Sequence, residues 1–490
     1  MLKRVSIQNF KGIGPRVDID LRPVTLLFGP NSAGKSTILH AIHYAHALLE
    51  TGNADVGRTR LGGDVDLGGF KHLVHNHDLD ATVALAFQVQ PRIPVEVFLS
   101  WHEVEGEMVT PEITSFRIDL EVQWSPYLGV PLVTKSRIVA DSVDVAELHC
   151  TLDGANVSLT NVNLDHPLLG GEGLLKEAFR CVSLKQALPT RDAGMRIEDM
   201  DALGGDIATI RILALIDEAF RSLRKELESF RYVGPMRTVP PRSYSSPRQR
   251  DESRWACGLG AWDALSGDES LRKRVSEWLG NESLMGTGYQ IDWHRYRELD
   301  DATYYQMQAA AGNRQLDESF TALTDSLPSE GRLSILDKSK NLELAPCDLG
   351  EGIGQVVPVI AAALAPKVFT YTGSEETVEL VAIEQPELHI HPRMQVVLGD
   401  LFLSQCSERQ FLIETHSEHL MLRLLKRIRE TSEAELPADA PEATTDTVAV
   451  YYVEQEGGAV RLTELRISED GEFLDRWPAG FFGERLAEML

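Results

Sequence analysis

Residues 29–36 read GPNSAGKS, which fits the phosphate-loop pattern Gly-x4-Gly-Lys-Ser. The motif follows the apolar run Val24–Phe28 and leads into the helix-like stretch Thr37–Leu49. Strand, loop and helix therefore stand in the order that the pattern requires, which favours an α/β fold with a buried strand ahead of the loop. The alternative, a glycine-rich turn with a chance lysine, is disfavoured because all three parts agree.

The residues of this loop suit a bound triphosphate. Glycines let the backbone wrap around the phosphates, and the freed amides and the helix N-terminus then face the negative oxygens. We expect Lys35 to reach the β and γ phosphates and the Ser36 hydroxyl to hold Mg²⁺. The sequence thus predicts binding of ATP and Mg²⁺, with these nucleotide-binding residues: Gly29, Pro30, Asn31, Ser32, Ala33, Gly34, Lys35, Ser36 and Thr37.

Length and composition indicate a globular protein of two or three domains, with 490 residues, 43% hydrophobic and 25% charged. The chain has no apolar run of about 18 residues, and its N-terminus lacks the apolar core of a signal peptide, so we expect no membrane partner and a cytoplasmic location. Its five cysteines are scattered, which is not the pattern of a disulfide framework or a zinc site. The net charge of −26 argues against a general DNA coat protein but leaves a local basic groove open.

Patterns along the chain predict five segments. Alternating residues from about Ala81 to Leu159 indicate antiparallel strands, and Ile207–Phe230 has helical periodicity. The segments are an N-terminal ATPase lobe with the phosphate loop (1–95), an inserted β-rich and helical region (96–230), a basic Pro-rich segment with a helical region (231–332), a C-terminal ATPase lobe (333–430), and a mobile acidic loop with a small C-terminal domain (431–490).

The basic segment Arg231–Arg254 holds six arginines against one Asp and one Glu, and its prolines exclude a regular helix. It is the best local candidate for binding phosphate, whether from nucleic acid or from a partner molecule. Arg237 and Arg242 are the first candidates for such contacts. The alternative, that these arginines pair with the abundant acids of the chain, stays open.

Three further motifs add to the predicted nucleotide site. The apolar strand VELVAI ends in Glu384, where a phosphate-loop enzyme places its magnesium-binding acid. The strand QFLIE runs into Thr415-His416-Ser417, so that a histidine just past a strand end can face a γ-phosphate. Between the loop and Glu384, residues Cys347–Gln355 read CDLGEGIGQ and open an apolar helix, whose N-terminal amides can face an anion.

In this order the four motifs resemble those of the ABC-type ATPases, and more narrowly the bacterial ATPases related to the OLD and RecF families. The resemblance implies an ABC-type P-loop ATPase head, with a mixed β-sheet core, helices, an antiparallel β subdomain and an inserted lid region. The ending DRWPAGFF resembles a small C-terminal domain of unknown function. The matching segments are NFKGI at Asn9–Ile13, GPNSAGKST at Gly29–Thr37, YVGPMR at Tyr232–Arg237, LGEGIGQ at Leu349–Gln355, IEQPELHIHP at Ile383–Pro392, ETHSEHL at Glu414–Leu420 and DRWPAGFF at Asp475–Phe482.

In that family two heads enclose two ATP molecules. The resemblance implies that Lys35 and Ser36 act in cis and that a signature segment acts in trans on the ATP of the partner head. The predicted signature residues are Leu349, Gly350, Gly352 and Gln355.

The resemblance also assigns the residues around hydrolysis. Glu384 would hold Mg²⁺ together with Ser36, and His416 would contact the γ-phosphate or the attacking water. The usual glutamate after Glu384 is replaced by Gln385, whose amide cannot take a proton. Either Glu387 supplies the base, or hydrolysis is slow and ATP acts as a long-lived switch.

These expectations point to an ATPase that forms a homodimer or higher homo-oligomer around ATP and controls a separate nuclease or toxin-like effector. Relatives of this kind belong to anti-phage defence systems, which makes such a system the expected setting. A RecF-like DNA-repair ATPase, which would bind nucleic acid, and a slow or non-hydrolysing ATP-dependent scaffold are the alternatives.

Overall fold

The structure is a computed structural model that describes residues 1–59, 63–92, 94–96, 102–104, 107–109, 112–169, 173–189, 195–198, 206–247, 249, 251–296, 300–302, 304–305, 330–366 and 378–476. Its helices are α1 Lys35–Thr51, α2 Phe70–Leu73, α3 Asp206–Glu228, α4 Leu259–Gly267, α5 Glu269–Gly280, α6 Glu351–Leu364, α7 Pro392–Gln405 and α8 Glu418–Ser432. Its strands are β1 Leu2–Gln8, β2 Val17–Asp20, β3 Val24–Phe28, β4 Arg58–Thr59, β5 Val65–Asp66, β6 Val83–Val89, β7 Val95–Glu96, β8 His102–Val104, β9 Glu107–Val109, β10 Glu112–Ile113, β11 Phe116–Ser125, β12 Val130–Ala140, β13 Val143–Cys150, β14 Val157–Thr160, β15 Val162–Asn163, β16 Leu174–Leu175, β17 Phe179–Arg180, β18 Arg231–Val233, β19 Tyr289–Tyr296, β20 Glu330–Asp337, β21 Leu342–Leu344, β22 Glu379–Glu384, β23 Arg409–Thr415, β24 Val448–Glu456 and β25 Ala459–Glu464.

A six-stranded sheet carries the predicted phosphate loop. Its order is β18-β22-β23-β3-β24-β25, and all neighbours are parallel except the final hairpin of β24 and β25. Every residue of β3, β22 and β23 is buried, which is the pattern of strands covered on both faces. The carboxyl ends of these parallel strands meet at one edge, and in an open α/β sheet that edge is where ligands bind.

This sheet separates two hydrophobic cores. Alternate strand residues such as Leu27 and Leu412 face the first core, which holds α1, α3 and the inner face of an eight-stranded sheet. Their neighbours Leu26 and Ile413 face the second core, which is formed with α4 to α8. The alternation follows from the two-residue period of a strand, and it fixes the sheet edge against packed helices on both sides.

The eight-stranded sheet is antiparallel, in the order β17-β14-β13-β12-β11-β6-β1-β2. It confirms the predicted antiparallel subdomain and the α/β class. The boundary predicted at residues 95 and 96 does not separate two units, however, because β6 pairs directly with β11 across it. Such pairing between segments that are far apart in the sequence cannot be predicted from residue patterns along the chain.

The C-terminal segment also differs from its predicted place. Instead of forming part of a separate small domain, β24 lies beside β3 in the six-stranded sheet, with Val448 opposite Val24. Before it, the Ala443 N–H donates to Thr431 Oγ1 at 3.1 Å, and the Ala443 side chain is buried. Within the part of the chain that the structure describes, no helix is long and apolar enough to cross a bilayer.

Candidate nucleotide-binding site

The phosphate loop has the backbone that its glycines predict. Gly34 precedes α1 at φ 101°, and Ser32 also has a positive φ, 61°. A Cβ at Gly29 would lie 2.1 Å from the Val453 carbonyl oxygen, and one at Gly34 would lie 2.4 Å from Val460 Cγ2. The glycines are therefore required for two reasons, namely the turn itself and its close packing against the hairpin of β24 and β25.

Lys35 is folded back onto its own loop. Its ammonium donates to the carbonyl oxygens of Gly29 at 3.1 Å and Pro30 at 2.8 Å, and it lies 3.6 Å from Glu414 Oε1. Only 2% of the side chain is exposed, and burial lowers its pKa. An incoming triphosphate offers this buried cation stronger partners than two neutral carbonyls.

Two carboxylates lie close to the Ser36 hydroxyl in the first turn of α1. Ser36 Oγ lies 3.2 Å from Glu384 Oε2 and 2.7 Å from Glu414 Oε2, and both acids are buried. The Tyr232 hydroxyl donates to the other oxygen of Glu384 at 2.8 Å. Burial, and next the charge of Glu414, raise the pKa of Glu384 to about 7. These oxygens form the donor set that Mg²⁺ prefers, so the residues present fit this ion.

The sequence motifs assign no role to Glu414 or to Tyr232. The signal for Glu414 lies in its strand: VELVAIE and QFLIE are both apolar strands that end in glutamate. In the sheet Glu384 and Glu414 are register partners on adjacent parallel strands. For Tyr232 the sequence offers only its place in the short strand ahead of the Gly-Pro turn.

The three other predicted catalytic residues meet at the same strand ends. Gln385 has φ 45°, and its N–H donates to the Glu414 carbonyl oxygen at 2.7 Å. The Glu387 carboxylate accepts from the His416 N–H at 2.6 Å and from Thr415 Oγ1 at 2.9 Å. Both Glu387 oxygens thus hold the segment that carries His416, which is a positioning contact.

His416 presents a neutral ring. Burial, and next the charge of Lys35, lower its pKa to about 4. Its Nε2 is enclosed and has no hydrogen-bond partner among the residues that the structure describes. A buried ring nitrogen without a partner is costly, so this atom is ready to bond a ligand group placed beside Lys35.

Arg237 lies inside the protein and not on its surface. Its guanidinium donates to the backbone oxygens of Glu384, of Gln385 at 3.0 Å and of Gln355 at 3.4 Å. Only 4% of the residue is exposed, and burial lowers its pKa to about 10. As the structure stands, the predicted phosphate contact at Arg237 has no route to an external phosphate.

The signature segment is divided between an exposed and a buried part. Helix α6 starts after Gly350, which is exposed, while Leu349 and Gly352 are half-buried. A Cβ at Gly352 would lie 2.4 Å from the His389 carbonyl oxygen, so the helix start packs tightly on the loop after β22. Gln355, predicted to act in trans, instead points inward, and its amide exchanges hydrogen bonds with the Arg237 backbone at 2.8 and 3.3 Å.

Arg242 stands next to this signature segment. It pairs with Asp348, which directly precedes Leu349, and 71% of its side chain is exposed. Of the two arginines singled out from the sequence, Arg242 is the one that faces solvent.

Three protein families and one known relative match parts of this chain. Residues 4–71 match a family described as "AAA domain", and residues 214–422 match one described as "AAA domain, putative AbiEii toxin, Type IV TA system". Residues 444–490 match "Protein of unknown function (DUF3696)". A DNA replication and repair protein RecF of Roseiflexus castenholzii (strain DSM 13941 / HLO8) is 36% identical over 120 residues, which are 24% of this chain. The chain spans 28% of the length of that relative.

Solved structures with some likeness include two heads of SMC proteins. An SMC head bound to the C-winged helix domain of ScpA gives a TM-score of 0.43 at 11% identity, over 96% of this chain and 98% of that one. The SMC head domain from Thermotoga maritima gives a TM-score of 0.37 at 11% identity, over 95% and 99%. Because both scores are low, they carry no weight beside the site geometry and the sequence matches.

Proposed function

We propose that the chain, which matches two AAA-domain families over residues 4–71 and 214–422, binds ATP with Mg²⁺, dimerises around it, hydrolyses it slowly and so controls a separate effector. One observation carries this proposal. The Lys35 ammonium and the Ser36 hydroxyl lie within 3.6 Å of a buried carboxylate, Glu414, on a neighbouring parallel strand.

Each residue has a role in binding that its contacts support. Lys35 exchanges its two loop carbonyls for the β and γ phosphates. Ser36 and Glu384 would hold Mg²⁺, which would offset charge on the phosphate oxygens. His416, neutral near pH 7 because its pKa is about 4, bonds the terminal phosphate or the attacking water through Nε2.

The slow rate follows from the residues at positions 385 and 387. Gln385 cannot accept a proton. Glu387 is a poor substitute, because both of its oxygens are engaged by Thr415 and His416. Absence of a general base typically lowers a rate by about 10²- to 10⁴-fold. ATP would then hold two protomers together for long enough to act as a switch.

Dimerisation is supported by the exposure of the signature. Among the described residues other than Gly350 and its chain neighbours, no heavy atom lies within 4 Å of the Cβ that a substitution at Gly350 would add. The N-terminus of the fourteen-residue α6 therefore opens to solvent and suits the phosphate of a partner's ATP. The likeness to a family described with a putative AbiEii toxin favours an effector that acts in defence.

Gly350 allows a sharp test of the dimer. Gly350→Asp adds a negative side chain into open space, so we expect an intact fold and unchanged ATP binding by one protomer, but loss of ATP-dependent dimerisation. Gly57→Asp is the matched control, since its Cβ also meets no described atom within 4 Å. Binding of a fluorescent ATP analogue and mass by analytical ultracentrifugation report the two steps separately.

The same assays test the nucleotide site. Lys35→Ala should abolish analogue binding and phosphate release, whereas Lys273→Ala, which alters an exposed lysine on α5, should change neither. A wild-type protein whose mass is the same with and without ATP would refute the dimer. A wild-type protein that binds no ATP would refute the proposed function as a whole.

A second candidate, a RecF-like DNA-repair ATPase, is favoured by the RecF relative. It requires ATP-dependent DNA binding that weakens steeply with salt. The net charge of −26 opposes such binding at long range. Fluorescence anisotropy of labelled DNA from about 50 to 200 mM salt separates the two functions, because the effector-control function predicts no such slope.

A further inference from the structure

We propose that Glu414, at the end of β23, is a second carboxylate ligand of the Mg²⁺ that accompanies ATP, beside Glu384 and Ser36. The proposal rests on the ATP-binding function argued above and names a residue for which the sequence motifs gave no role.

The geometry around Ser36 points to Glu414 at least as strongly as to Glu384. Its Oε2 lies 2.7 Å from Ser36 Oγ, against 3.2 Å for Glu384 Oε2. Both acids are 6% exposed, and they face each other as register partners in the sheet. A hydroxyl has one proton to donate, so it cannot satisfy two buried carboxylates at once.

The remaining partners of the two acids show what is missing. The second oxygen of Glu384 is bound by the Tyr232 hydroxyl, whereas the second oxygen of Glu414 faces the Lys35 ammonium at 3.6 Å. When Lys35 moves to a phosphate, Glu414 loses that cation while it stays buried. An uncompensated buried charge is strongly destabilising, and a divalent cation between the two carboxylates removes the cost.

The donor set suits Mg²⁺ and also explains why ATP is needed. Mg²⁺ is usually held by one or two carboxylates together with substrate phosphates and water. Within the described ranges, no group of three His, Cys, Asp or Glu side chains gathers to hold a metal. The two carboxylates and the Ser36 hydroxyl would therefore need phosphate oxygens and water beside them to hold the ion.

The experiment measures metal binding on the full chain. Mn²⁺ replaces Mg²⁺ and is titrated by electron paramagnetic resonance in the presence of a non-hydrolysable ATP analogue. We expect Glu414→Gln to weaken Mn²⁺ binding by about tenfold or more, the range found when groups that support a metal are removed. Glu435→Gln, which makes the same charge change at an exposed position, should leave Mn²⁺ affinity unchanged.

Binding of the analogue without metal gives the second measurement. Glu414→Gln should bind it as tightly as wild type or more tightly in excess chelator, since a negative charge near the phosphates is gone. Two results would overturn the inference: Mn²⁺ affinity within twofold of wild type, or an equal loss of affinity for the metal-free analogue, which would make Glu414 only a positioning partner of Lys35. If wild type itself binds no analogue, the ATP-binding function fails first, and this outcome is distinct from the other two.

Discussion

Arg237 and Arg242 form a natural pair for a stability test, because the sequence singles out both and the structure places them in opposite environments. Arg237 is 4% exposed and bonds three backbone oxygens, while the Arg242 side chain is 71% exposed and pairs with Asp348 on the surface. Arg237→Gln and Arg242→Gln therefore make the same chemical change with different expected results.

The magnitude for Arg237 follows from the groups left behind. Gln is too short to reach the carbonyl oxygens of Glu384 and Gln385, and each buried oxygen that loses its donor costs about 1–3 kcal/mol. We expect a total of about 3–5 kcal/mol, which is a fall of about 10 °C in the unfolding temperature of a unit of this size. Arg242→Gln should leave the unfolding temperature unchanged, since its ion pair is exposed.

Differential scanning calorimetry of the two variants and of wild type checks these values. Arg237→Lys adds a control, because a lysine keeps the charge but cannot fork between two carbonyls, and it should fall between wild type and Arg237→Gln. The reasoning is refuted if Arg237→Gln has the unfolding temperature of wild type but a lower affinity for nucleic acid, with a slope of log affinity against log salt concentration that is smaller by about one. That outcome would mean that Arg237 contacts external phosphate after all.

Two further predictions concern packing and pH. Gly34→Ala places a methyl group 2.4 Å from Val460 Cγ2 and forces a non-glycine residue to φ 101°, so we expect the free energy of unfolding to fall by about 2–4 kcal/mol. Val460→Ala removes the clash but not the backbone strain, so it should recover only part of this loss. Equal losses with and without Val460→Ala would contradict the contact. Burial lowers the pKa of His46 to about 4 from its ordinary 6.5. The unfolded chain therefore takes up this proton first, and stability should fall by up to about 3 kcal/mol as the pH drops from about 6.5 to about 4. His416 has the same shifted pKa and contributes to the same window. His46→Leu should therefore make the fall of the unfolding temperature with pH less steep without abolishing it, and an unchanged slope would count against a neutral buried ring at position 46.

Local patterns in the sequence were enough to predict the main elements of the six-stranded sheet around the phosphate loop. The run Val24–Phe28 is a strand with those bounds, and the helix predicted to Leu49 runs to Thr51. The strand predicted from QFLIE, Gln410–Glu414, extends over Arg409–Thr415. These predictions succeeded because buried parallel strands and a buried helix with recurring apolar residues each leave a pattern within a dozen residues.

What failed depends on contacts between distant segments. The predicted surface role of Arg237 ignored Gln355, which lies 118 positions away and closes hydrogen bonds with its backbone. The role of Glu414 could not be predicted, because it depends on the register of Glu414 with Glu384 on the neighbouring strand. The sequences of two strands do not indicate that they are neighbours in the sheet. The place of β24 beside β3 likewise comes from sheet topology, which the last fifty residues alone cannot indicate.

The buried pair of Lys35 and Glu414 changes how the usual phosphate-loop variant must be interpreted. Lys35→Ala removes the cation 3.6 Å from a carboxylate whose side chain is only 7% exposed. Breaking a buried pair in this way costs about 3 kcal/mol or more, so the variant loses stability as well as a phosphate contact. We expect Glu414→Gln to restore the unfolding temperature in the Lys35→Ala background, because a neutral amide needs no cation. ATP-analogue binding should stay lost in the double variant. If the double variant recovers no stability, the two side chains do not compensate each other, and the electrostatic basis for placing a cation between Glu384 and Glu414 is wrong.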